Sequence, residues 1–501
     1  MCFAARKGMV INMKIKRFAA GALAACIALS GTGCMKKKNS GEVPQVSWYL
    51  LKAIDNMSSQ KYVEDEVNKI LKEKVGAELR LNLLDAGSRQ EKMNLIISSG
   101  ETFDIMMTDP TGPLSLAVNS RRNAFLDLTD LYEKYGGAIK KKIDPRGIEA
   151  CTVDGKLLLI PSQGKYVGET AYVFKKDLVE KYGFDYKSVT CLEDLEPYLE
   201  TIKQNEPLVT PLYITANSDL TQPINKKFTS TSISCLMFDE DNEKFVSKYV
   251  VNKDEYRLKN KYYNKGYIAK DAFTKQDAAE GKNGRYAVLR DTGAHTEDSS
   301  KATAYYGFKT VETLVGTSLI GPTSFSSGNA ISVTSKNPDK AMQILNAVWE
   351  DPYISNTLAY GVEGVDYEVV SGTTNEDKSV LPNTGTSQKW ALWHNWLGPL
   401  FDQWDSPWNS KEALMKMEHD NENAETSKAV GFLMDTSKFD AEIAAISEVE
   451  TAAQTVLRVG NMDNFDEYYA DLDKKLDNAG INDLIDDMNK QYAAWKKSKK
   501  K

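Results

Sequence analysis

Five of the eight tryptophans of the chain lie within residues 390–408, at Trp390, Trp393, Trp396, Trp404 and Trp408. An aromatic ring can stack on the apolar C–H face of a sugar, while neighbouring amides and carboxylates bind its hydroxyl groups. Trp396, Leu400 and Trp404 recur every four residues, which predicts one face of a helix that packs into a core. Trp390 and Trp393 precede that pattern, and we predict them as ligand contacts, with core packing as the alternative.

Further candidate ligand contacts are polar residues in loops that follow predicted strands. In an α/β fold a ligand binds beyond the carboxyl ends of the parallel strands, so such loops are where its contacts are expected. The candidates are Lys52 and Asp55 after QVSWYL, Asp109 after FDIMMT, Gln163 and Tyr166 in the turn after Pro161, Arg290 after YAVL, and Glu363 in the turn GVEG. The alternative for each of them is an ordinary solvated loop residue.

Motifs of catalysis and metal binding are incomplete in the chain. GTSLIGPT at 316–323 resembles a phosphate loop but has Pro322 where that loop requires lysine. DEDNEKF at 239–245 has Lys244 where a calcium loop requires glycine. No HExxH zinc motif and no GxSxG nucleophile motif occurs, although the chain has three histidines, His295, His394 and His419. We therefore expect no catalytic residue, no metal and no cofactor.

The N-terminal segment has the pattern of an export signal. Basic residues precede an uncharged run at 18–33, which is short for a membrane span and typical of a signal peptide. The run ends at Cys34, and a polar stretch follows it. We expect residues 1–33 to be removed, Cys34 rather than Cys26 to carry lipid, and residues 34–44 to form a tether.

The rest of the chain disfavours nucleic acid and metal as partners. The net charge is −7, and the leader carries basic but no acidic residues, so its removal makes the chain more acidic. An acidic chain is a poor ligand for a phosphate backbone. Cys151, Cys191 and Cys235 are too widely spaced for a CxxC site, and we expect them to be free, buried thiols.

The candidate residues can form one site only if strands and helices place their loops at the same edge of a sheet. Strand-like QVSWYL, a helix with apolar residues at 63–75, the alternating AELRLNLL, a short helix ending at Gly100 and FDIMM form a β-α-β-α-β run. Such a run predicts a mainly parallel sheet with helices on both faces. TAYVF followed by KKDLVEKYG begins a second sheet, and the chain from about Phe439 is predicted to be helical, with breaks at Gly460 and Gly480. About 460 residues after the leader are too many for one core and predict two domains.

Seven segments in this order resemble the family 1 extracellular solute-binding proteins of ABC importers, in the subgroup that carries the C-terminal domain of unknown function 3502. The segments are ISSGETFDIMMTD at 97–109, AFLDLTDLYEKYG at 124–136, DGKLLLIP at 154–161, CLEDLEPYLETIKQNEP at 191–207, ISVTSKNPDKAMQILN at 331–346, YGVEGVDYE at 360–368 and VGFLMDTSKFDAEIAAISEV at 430–449. The ending KKLDNAGINDLIDDMNKQ is also similar to that subgroup.

The resemblance implies a two-lobed, periplasmic-binding-protein-like α/β fold that closes on a solute. It places chain crossings near 161–166, 321–328 and 361–390. The N-terminal lobe is then expected to comprise 45–161 and 326–385, and the C-terminal lobe 162–325 and 386–501.

The resemblance also implies a function. We expect a monomeric binding protein, anchored by lipid on the outer face of the cytoplasmic membrane, that delivers a small polar solute to ABC permease subunits. An oligosaccharide is the first choice of solute, and a peptide or amino-acid-derived solute is the second. A surface enzyme that acts on glycosides is the alternative from another class.

Overall fold

The computed structural model describes residues 43–216, 227–274, 278–290 and 299–499, and for 278–280 and Arg290 only the backbone. The first part of the chain forms β1 (Gln45–Leu51), α1 (Gln60–Lys74), β2 (Glu78–Leu84), α2 (Ala86–Ser99), β3 (Ile105–Met107), α3 (Leu116–Arg121), α4 (Thr129–Tyr135), α5 (Gly137–Lys142), α6 (Pro145–Ala150), β4 (Thr152–Val153), β5 (Lys156–Leu157) and β6 (Ile160–Pro161). The predicted β-α-β-α-β run is therefore present at β1 to β3. The predicted signal peptide and Cys34 lie outside the described residues.

The middle of the chain alternates short strands with helices. Its elements are β7 (Glu169–Lys175), α7 (Lys176–Tyr182), α8 (Glu196–Asn205), β8 (Thr210–Leu212), β9 (Phe228–Ser230), β10 (Leu236–Asp239), β11 (Lys244–Ser247), α9 (Lys248–Val251), α10 (Lys253–Lys265), β12 (Tyr286–Arg290), α11 (Ser300–Tyr306) and β13 (Thr310–Thr317).

The last part of the chain returns to the first sheet and ends in helices. Its elements are β14 (Gly328–Ile331), α12 (Pro338–Glu350), α13 (Pro352–Tyr360), β15 (Tyr367–Ser371), β16 (Ser379–Pro382), α14 (His394–Leu397), α15 (Lys411–Asn423), α16 (Asp440–Val459), α17 (Phe465–Asn478) and α18 (Ile481–Ser498). No helix among the described residues has both the length and the apolar character needed to cross a bilayer.

The first sheet has the strand order β2-β1-β3-β14-β6. Strands β1, β2 and β3 are parallel, and β14 runs antiparallel to both β3 and β6. The carboxyl ends of β1, β2, β3 and β6 therefore meet at one edge, which we call the carboxyl edge. The crossovers through α1 and α2 step in opposite directions across the sheet, so right-handed connections place these helices on opposite faces.

The register of the first sheet defines which side chains share a face. Trp48 is paired with Ile105, and Asn329 is paired with Met107, two residues further along β3. The indole N–H of Trp48 donates a hydrogen bond of 2.9 Å to the Asn329 side-chain oxygen, so both lie on one face. We call this the Trp48 face.

The second sheet has the order β13-β7-β12-β8 and its own core. Strand β12 is parallel to β8, whereas β7 is antiparallel to both of its neighbours. A third core unites the β9–β11 hairpins with α16, α17 and α18. The predicted helical ending is therefore correct in type, and Gly460 and Gly480 lie at helix boundaries with positive φ. The strands that complete this core were not predicted.

The chain leaves or re-enters the first lobe along three adjacent stretches, at 162–168, 318–327 and 421–427. The first two connect it to the second sheet, and the third leads into the third core. Ser162 N–H donates to the Ser327 carbonyl at 3.0 Å, which ties the first stretch to the second. Ile320 exchanges backbone hydrogen bonds of 2.9 Å with the third stretch. The third crossing was predicted within 361–390, and its position differs because the intervening chain continues to pack on the first lobe.

The assignment of residues 386–402 to the C-terminal lobe needs correction. Trp390, Leu392, Trp396 and Leu397 belong to the core of the first sheet. The backbone N–H of Leu392 donates to the Ala359 carbonyl of α13, which holds this segment against the first lobe.

The expectation of buried thiols holds for two of the three cysteines after the leader. Cys151 and Cys235 are buried and free, whereas Cys191 is free and exposed.

Candidate functional site

Loops that leave the carboxyl edge of the first sheet carry several predicted site residues. Lys52 directly follows β1, and its ammonium lies 3.2 Å from a carboxylate oxygen of Asp85, which follows β2. Asp55 is exposed in the same loop as Lys52. The structure therefore places Lys52 and Asp55 at the edge where a ligand is expected.

Asp109 is engaged within the protein. One guanidinium nitrogen of Arg89 lies 2.6 and 2.7 Å from the two carboxylate oxygens of Asp109, and Arg89 is buried. Arg89 also donates to the Met107 carbonyl at 2.5 Å. This pair fixes the start of the loop after β3, so the role that the geometry supports for Asp109 is positioning.

Gln163 and Tyr166 also hold the protein together at the first crossing. The Gln163 amide donates to the Lys142 carbonyl at 2.9 Å and accepts from the Phe401 N–H at 3.1 Å. The Tyr166 hydroxyl donates to the Ser162 carbonyl at 2.6 Å, and burial raises the pKa of Tyr166. The polar groups of both side chains are thus occupied by backbone partners.

Two further candidates are not brought to this edge by the described contacts. Glu363 is exposed beside the β15–β16 hairpin, with Lys378 as its neighbour at 3.5 Å. Arg290 ends β12 in the second sheet, and its side chain lies outside the described residues.

The two tryptophans predicted as ligand contacts have opposite environments. Trp390 is only 2% exposed, and its indole N–H donates to the Leu358 carbonyl at 2.9 Å. Both of its faces are covered by the core, so Trp390 offers no surface to a ligand in this conformation. Trp393 is 58% exposed, and its ring stacks on Trp396 with centroids 4.9 Å apart.

The stacked pair lies at the carboxyl edge, on the Trp48 face. The Asn329 amide donates to the Trp396 carbonyl at 3.0 Å, which anchors α14 over β14. Just before Trp393, the Gln388 carbonyl accepts from the Asn56 amide in the loop after β1. Trp393 therefore lies near the loop after β1, and its ring stacks on the buried Trp396.

The helix predicted across 396–404 is not formed. Helix α14 ends at Leu397, and Gly398 follows with φ of 132°. A Cβ on Gly398 would approach the Trp349 indole nitrogen to 2.4 Å, so only glycine fits this break. Trp396 and Trp404 are nevertheless both buried, but in different clusters.

A cavity of about 360 Å³ lies between the two lobes, beside the loop that follows β3. Its walls include α3 and the loop before it, the segment 232–235, and one face of α16. Nothing local in the sequence indicated this cavity, because its walls are separated by more than 100 residues along the chain.

The electrostatics of the cavity centre on Glu450 of α16. Its carboxylate accepts from the Tyr249 hydroxyl at 3.0 Å and from Ser234, and it pairs with the Lys248 ammonium at 2.6 Å. Across the cavity, Arg121 of α3 lies 3.3 Å from Asp435 and links the first lobe to the C-terminal region. A hydrogen bond from the Ser437 N–H and the Arg121 charge lower the pKa of Asp435.

Comparison with known proteins connects this architecture to solute binding. Residues 428–497 match the domain of unknown function DUF3502. A carbohydrate ABC transporter substrate-binding protein of Streptococcus pneumoniae serotype 4 is 30% identical over 506 residues, covering 99% of each chain. The chain is also similar to the crystal structure of the N-glycan transport solute-binding protein NgtS from Streptococcus pneumoniae, with 28% identity, a TM-score of 0.71, and coverage of 91% and 100% of the two chains.

A second structure of NgtS, in complex with Man5GlcNAc, matches with 27% identity, a TM-score of 0.60, and coverage of 91% and 99%. An extracellular solute-binding protein from Bifidobacterium longum subsp. infantis, at 15% identity, shares the fold, with a TM-score of 0.62 and coverage of 91% and 99%. The predicted fold class, the predicted family and the preference for a binding protein over an enzyme are thus confirmed. The chain belongs to the substrate-binding proteins of carbohydrate ABC transporters.

Proposed function

We propose that this chain binds an oligosaccharide across the carboxyl edge of its first sheet and presents it to ABC permease subunits. The observation that carries the proposal is the exposed Trp393 ring, stacked on the buried Trp396 at that edge. An exposed aromatic face held rigid from below is suited to the apolar face of a sugar ring. Lys52 and Asp55, on the neighbouring loop, supply polar groups for hydroxyls.

The proposed ligand class is a mannose- and N-acetylglucosamine-containing glycan. The solved NgtS structures that resemble this chain hold Man1GlcNAc and Man5GlcNAc. This resemblance supports those two sugars as the first probes. A peptide ligand, the second choice from the sequence, is tested in the same experiment.

The decisive experiment is calorimetric titration of the purified chain with Man5GlcNAc, maltotriose and a mixture of short peptides. We expect binding of Man5GlcNAc, and we expect Trp393→Ala to lower its affinity about 30-fold, equivalent to about 2 kcal/mol for a central anchor residue. The matched control is Trp408→Ala, which removes a tryptophan that is 42% exposed beside Tyr360 in a different cluster. Binding of peptides in place of both sugars, or equal affinity of wild type and Trp393→Ala, contradicts the proposal.

The proposal includes attachment to the cell surface through lipid on Cys34 and action as a monomer. The polar stretch after Cys34 leads into β1, which begins at Gln45. Such a tether would let the two lobes move freely at the outer face of the membrane.

A further inference from the structure

We propose that the C-terminal domain at 428–497 forms one wall of an end subsite for the oligosaccharide, in the cavity between α3 and α16. The inference rests on the proposed function, because it extends the same ligand beyond the Trp393 platform. It assigns to this domain a direct role in ligand recognition.

The cavity has the size and the walls that such a subsite requires. Its volume of about 360 Å³ falls in the range of small-molecule sites, roughly 300–1,000 Å³. One wall is α3 of the first lobe, and the opposite wall is α16 of the C-terminal domain. A ligand group placed here contacts both, so its binding is coupled to their separation.

Acceptors for sugar hydroxyls line the cavity. One oxygen of the Glu450 carboxylate is engaged by Lys248 and Tyr249, whereas the other accepts from Ser234. A carboxylate has about four lone-pair sites, so the Glu450 oxygen that binds Ser234 retains room for one further donor. The Ser234 oxygen, which donates its own proton to Glu450, also retains acceptor capacity. The pair is therefore suited to accept hydrogen bonds from a polyhydroxylated ligand.

Apolar side chains line the cavity on the walls that the first lobe and the C-terminal domain contribute. Leu116 and Val118 of α3 face the cavity from the first lobe, and Ile443 and Ile446 face it from α16. Sugar rings present apolar C–H faces between their hydroxyl groups, and mostly apolar walls with few polar groups are typical of small-molecule sites. This combination of apolar side chains and hydrogen-bond acceptors fits a sugar better than an ion or a purely apolar ligand.

The cavity and Trp393 border the same carboxyl edge from opposite faces of the sheet. Trp393 and Trp396 lie on the Trp48 face, as the contact of Trp396 with Asn329 shows. Helix α1 packs on α13, and α13 packs on α14, so α1 lies on the Trp48 face and α2 on the other. Helix α3 is joined to α2 by the hydrogen bond of Arg122 to Asn94. A ligand that reaches both places must run across the edge, which requires an oligosaccharide rather than a monosaccharide.

The test fills the cavity without touching Trp393. Ser447 lines the cavity and is exposed on α16, so Ser447→Phe should fold and block the space. Ala452→Phe adds the same side chain at an exposed position on the other side of α16 and is the matched control. Ser234→Ala removes one acceptor and leaves the cavity open.

Calorimetric titration of these variants with Man5GlcNAc and Man1GlcNAc decides the inference. We expect Ser447→Phe to lower the affinity for Man5GlcNAc at least tenfold and for Man1GlcNAc less than twofold, Ser234→Ala to weaken Man5GlcNAc about threefold to tenfold, and Ala452→Phe to match wild type. Unchanged Man5GlcNAc affinity in Ser447→Phe overturns the subsite and leaves the proposed function standing. An equal loss for both sugars, or the same loss in Ala452→Phe, also overturns it. Failure of wild type to bind either sugar rejects the proposed ligand class and the inference together.

Discussion

At the scale of single residues, Trp390 and Trp393 show that a local sequence pattern does not determine which of two neighbouring tryptophans is buried. The residues are three apart, and the chain between them forms neither a helix nor a strand. No periodicity therefore relates their side chains, and contact with α13 determines which one is buried. The prediction of Trp393 as a ligand contact stays a prediction, whereas Trp390 has the environment of a core residue.

Replacement of Trp390 should affect stability rather than ligand contact. Trp390→Ala removes a fully buried indole and leaves a cavity, which costs about 3–5 kcal/mol of folding free energy. Chemical denaturation should show this loss, and Trp393→Ala should lose less than about 1 kcal/mol, because that side chain is mostly exposed. A small loss in Trp390→Ala would contradict the buried position.

His394 should make stability depend on pH in a defined direction. Burial lowers the pKa of His394 to about 3, from an ordinary value of 6.5. Below pH 6.5 the unfolded chain binds a proton that the folded chain does not, so stability falls as the pH falls. Between pH 7 and pH 5 this residue alone should remove about 2 kcal/mol, at about 1.4 kcal/mol per pH unit below 6.5.

The measurement for His394 is the difference between wild type and His394→Gln in denaturation midpoints at pH 7 and pH 5. The glutamine amide retains a donor for the Asn356 side-chain oxygen, which His394 contacts at 3.0 Å. Wild type should lose more stability than the variant on acidification. Parallel pH profiles would show that His394 is not held neutral in the fold.

At the scale of elements, the end of α16 depends on how closely it approaches α10. Gly460 ends the helix with φ of 81°, and a Cβ there would lie 2.4 Å from the carbonyl carbon of Lys259. The side chain of Asn260 donates to the Gly460 carbonyl at 2.9 Å. The junction between the second lobe and the C-terminal domain is therefore built on direct backbone contact.

A pair of glycine substitutions separates backbone strain from steric contact. Gly460→Ala should cost about 2–5 kcal/mol, the sum of left-handed backbone strain and overpacking against α10. Gly100→Ala should cost only about 1–2 kcal/mol, because Gly100 has φ of 70° but no atom within 4 Å of the added Cβ. Thermal unfolding of both variants tests this order, and similar losses would contradict the close approach of α16 to α10.

Regular local patterns in the sequence predicted individual helices and strands well, but they did not predict the contacts between segments that are far apart in the chain. The alternation in β2 and the apolar spacing in α1 indicated elements that the structure contains. The helix predicted across 396–404 failed although Gly398-Pro399 is itself a turn signal. The third crossing and the cavity beside Glu450 depend on contacts between residues more than 100 positions apart, for which a single sequence carries no local sign.

At the scale of the whole molecule, the three crossings should act as one hinge. Asn421 exchanges hydrogen bonds with Gly164 and Tyr166, and Arg146 donates to the Ala424 carbonyl and the Thr426 hydroxyl. These bonds tie the crossings to one another and to the first lobe. Relative motion of the lobes is then restricted to bending along this shared strip.

Closure on ligand should be visible in small-angle scattering. A ligand that contacts both lobes favours the closed form by its higher affinity for that form. We expect a smaller radius of gyration with saturating Man5GlcNAc, and no change for Trp393→Ala at a concentration that saturates only wild type. An unchanged radius in ligand-bound wild type would indicate a rigid molecule.

Anchoring is tested by removal of the predicted lipid site. Cys34→Ala should release the protein into the medium of the producing cells, because stable attachment requires the acyl chains that Cys34 would carry. Cys26→Ala, within the predicted leader, is the control and should remain with the membrane fraction. The reverse result would place the lipid on Cys26.

The position of β14 also determines when the molecule can fold. This strand lies between β3 and β6 in the first sheet, yet Gly328 follows its partner Thr108 by 220 residues. Contacts so distant along the chain are slow to form and add nothing until both strands exist. Synthesis must therefore pass residue 331 before the first core can close, so the segments of the first lobe stay unfolded for most of the elongation of the chain. An unfolded chain is the state in which a polypeptide passes through a secretion channel.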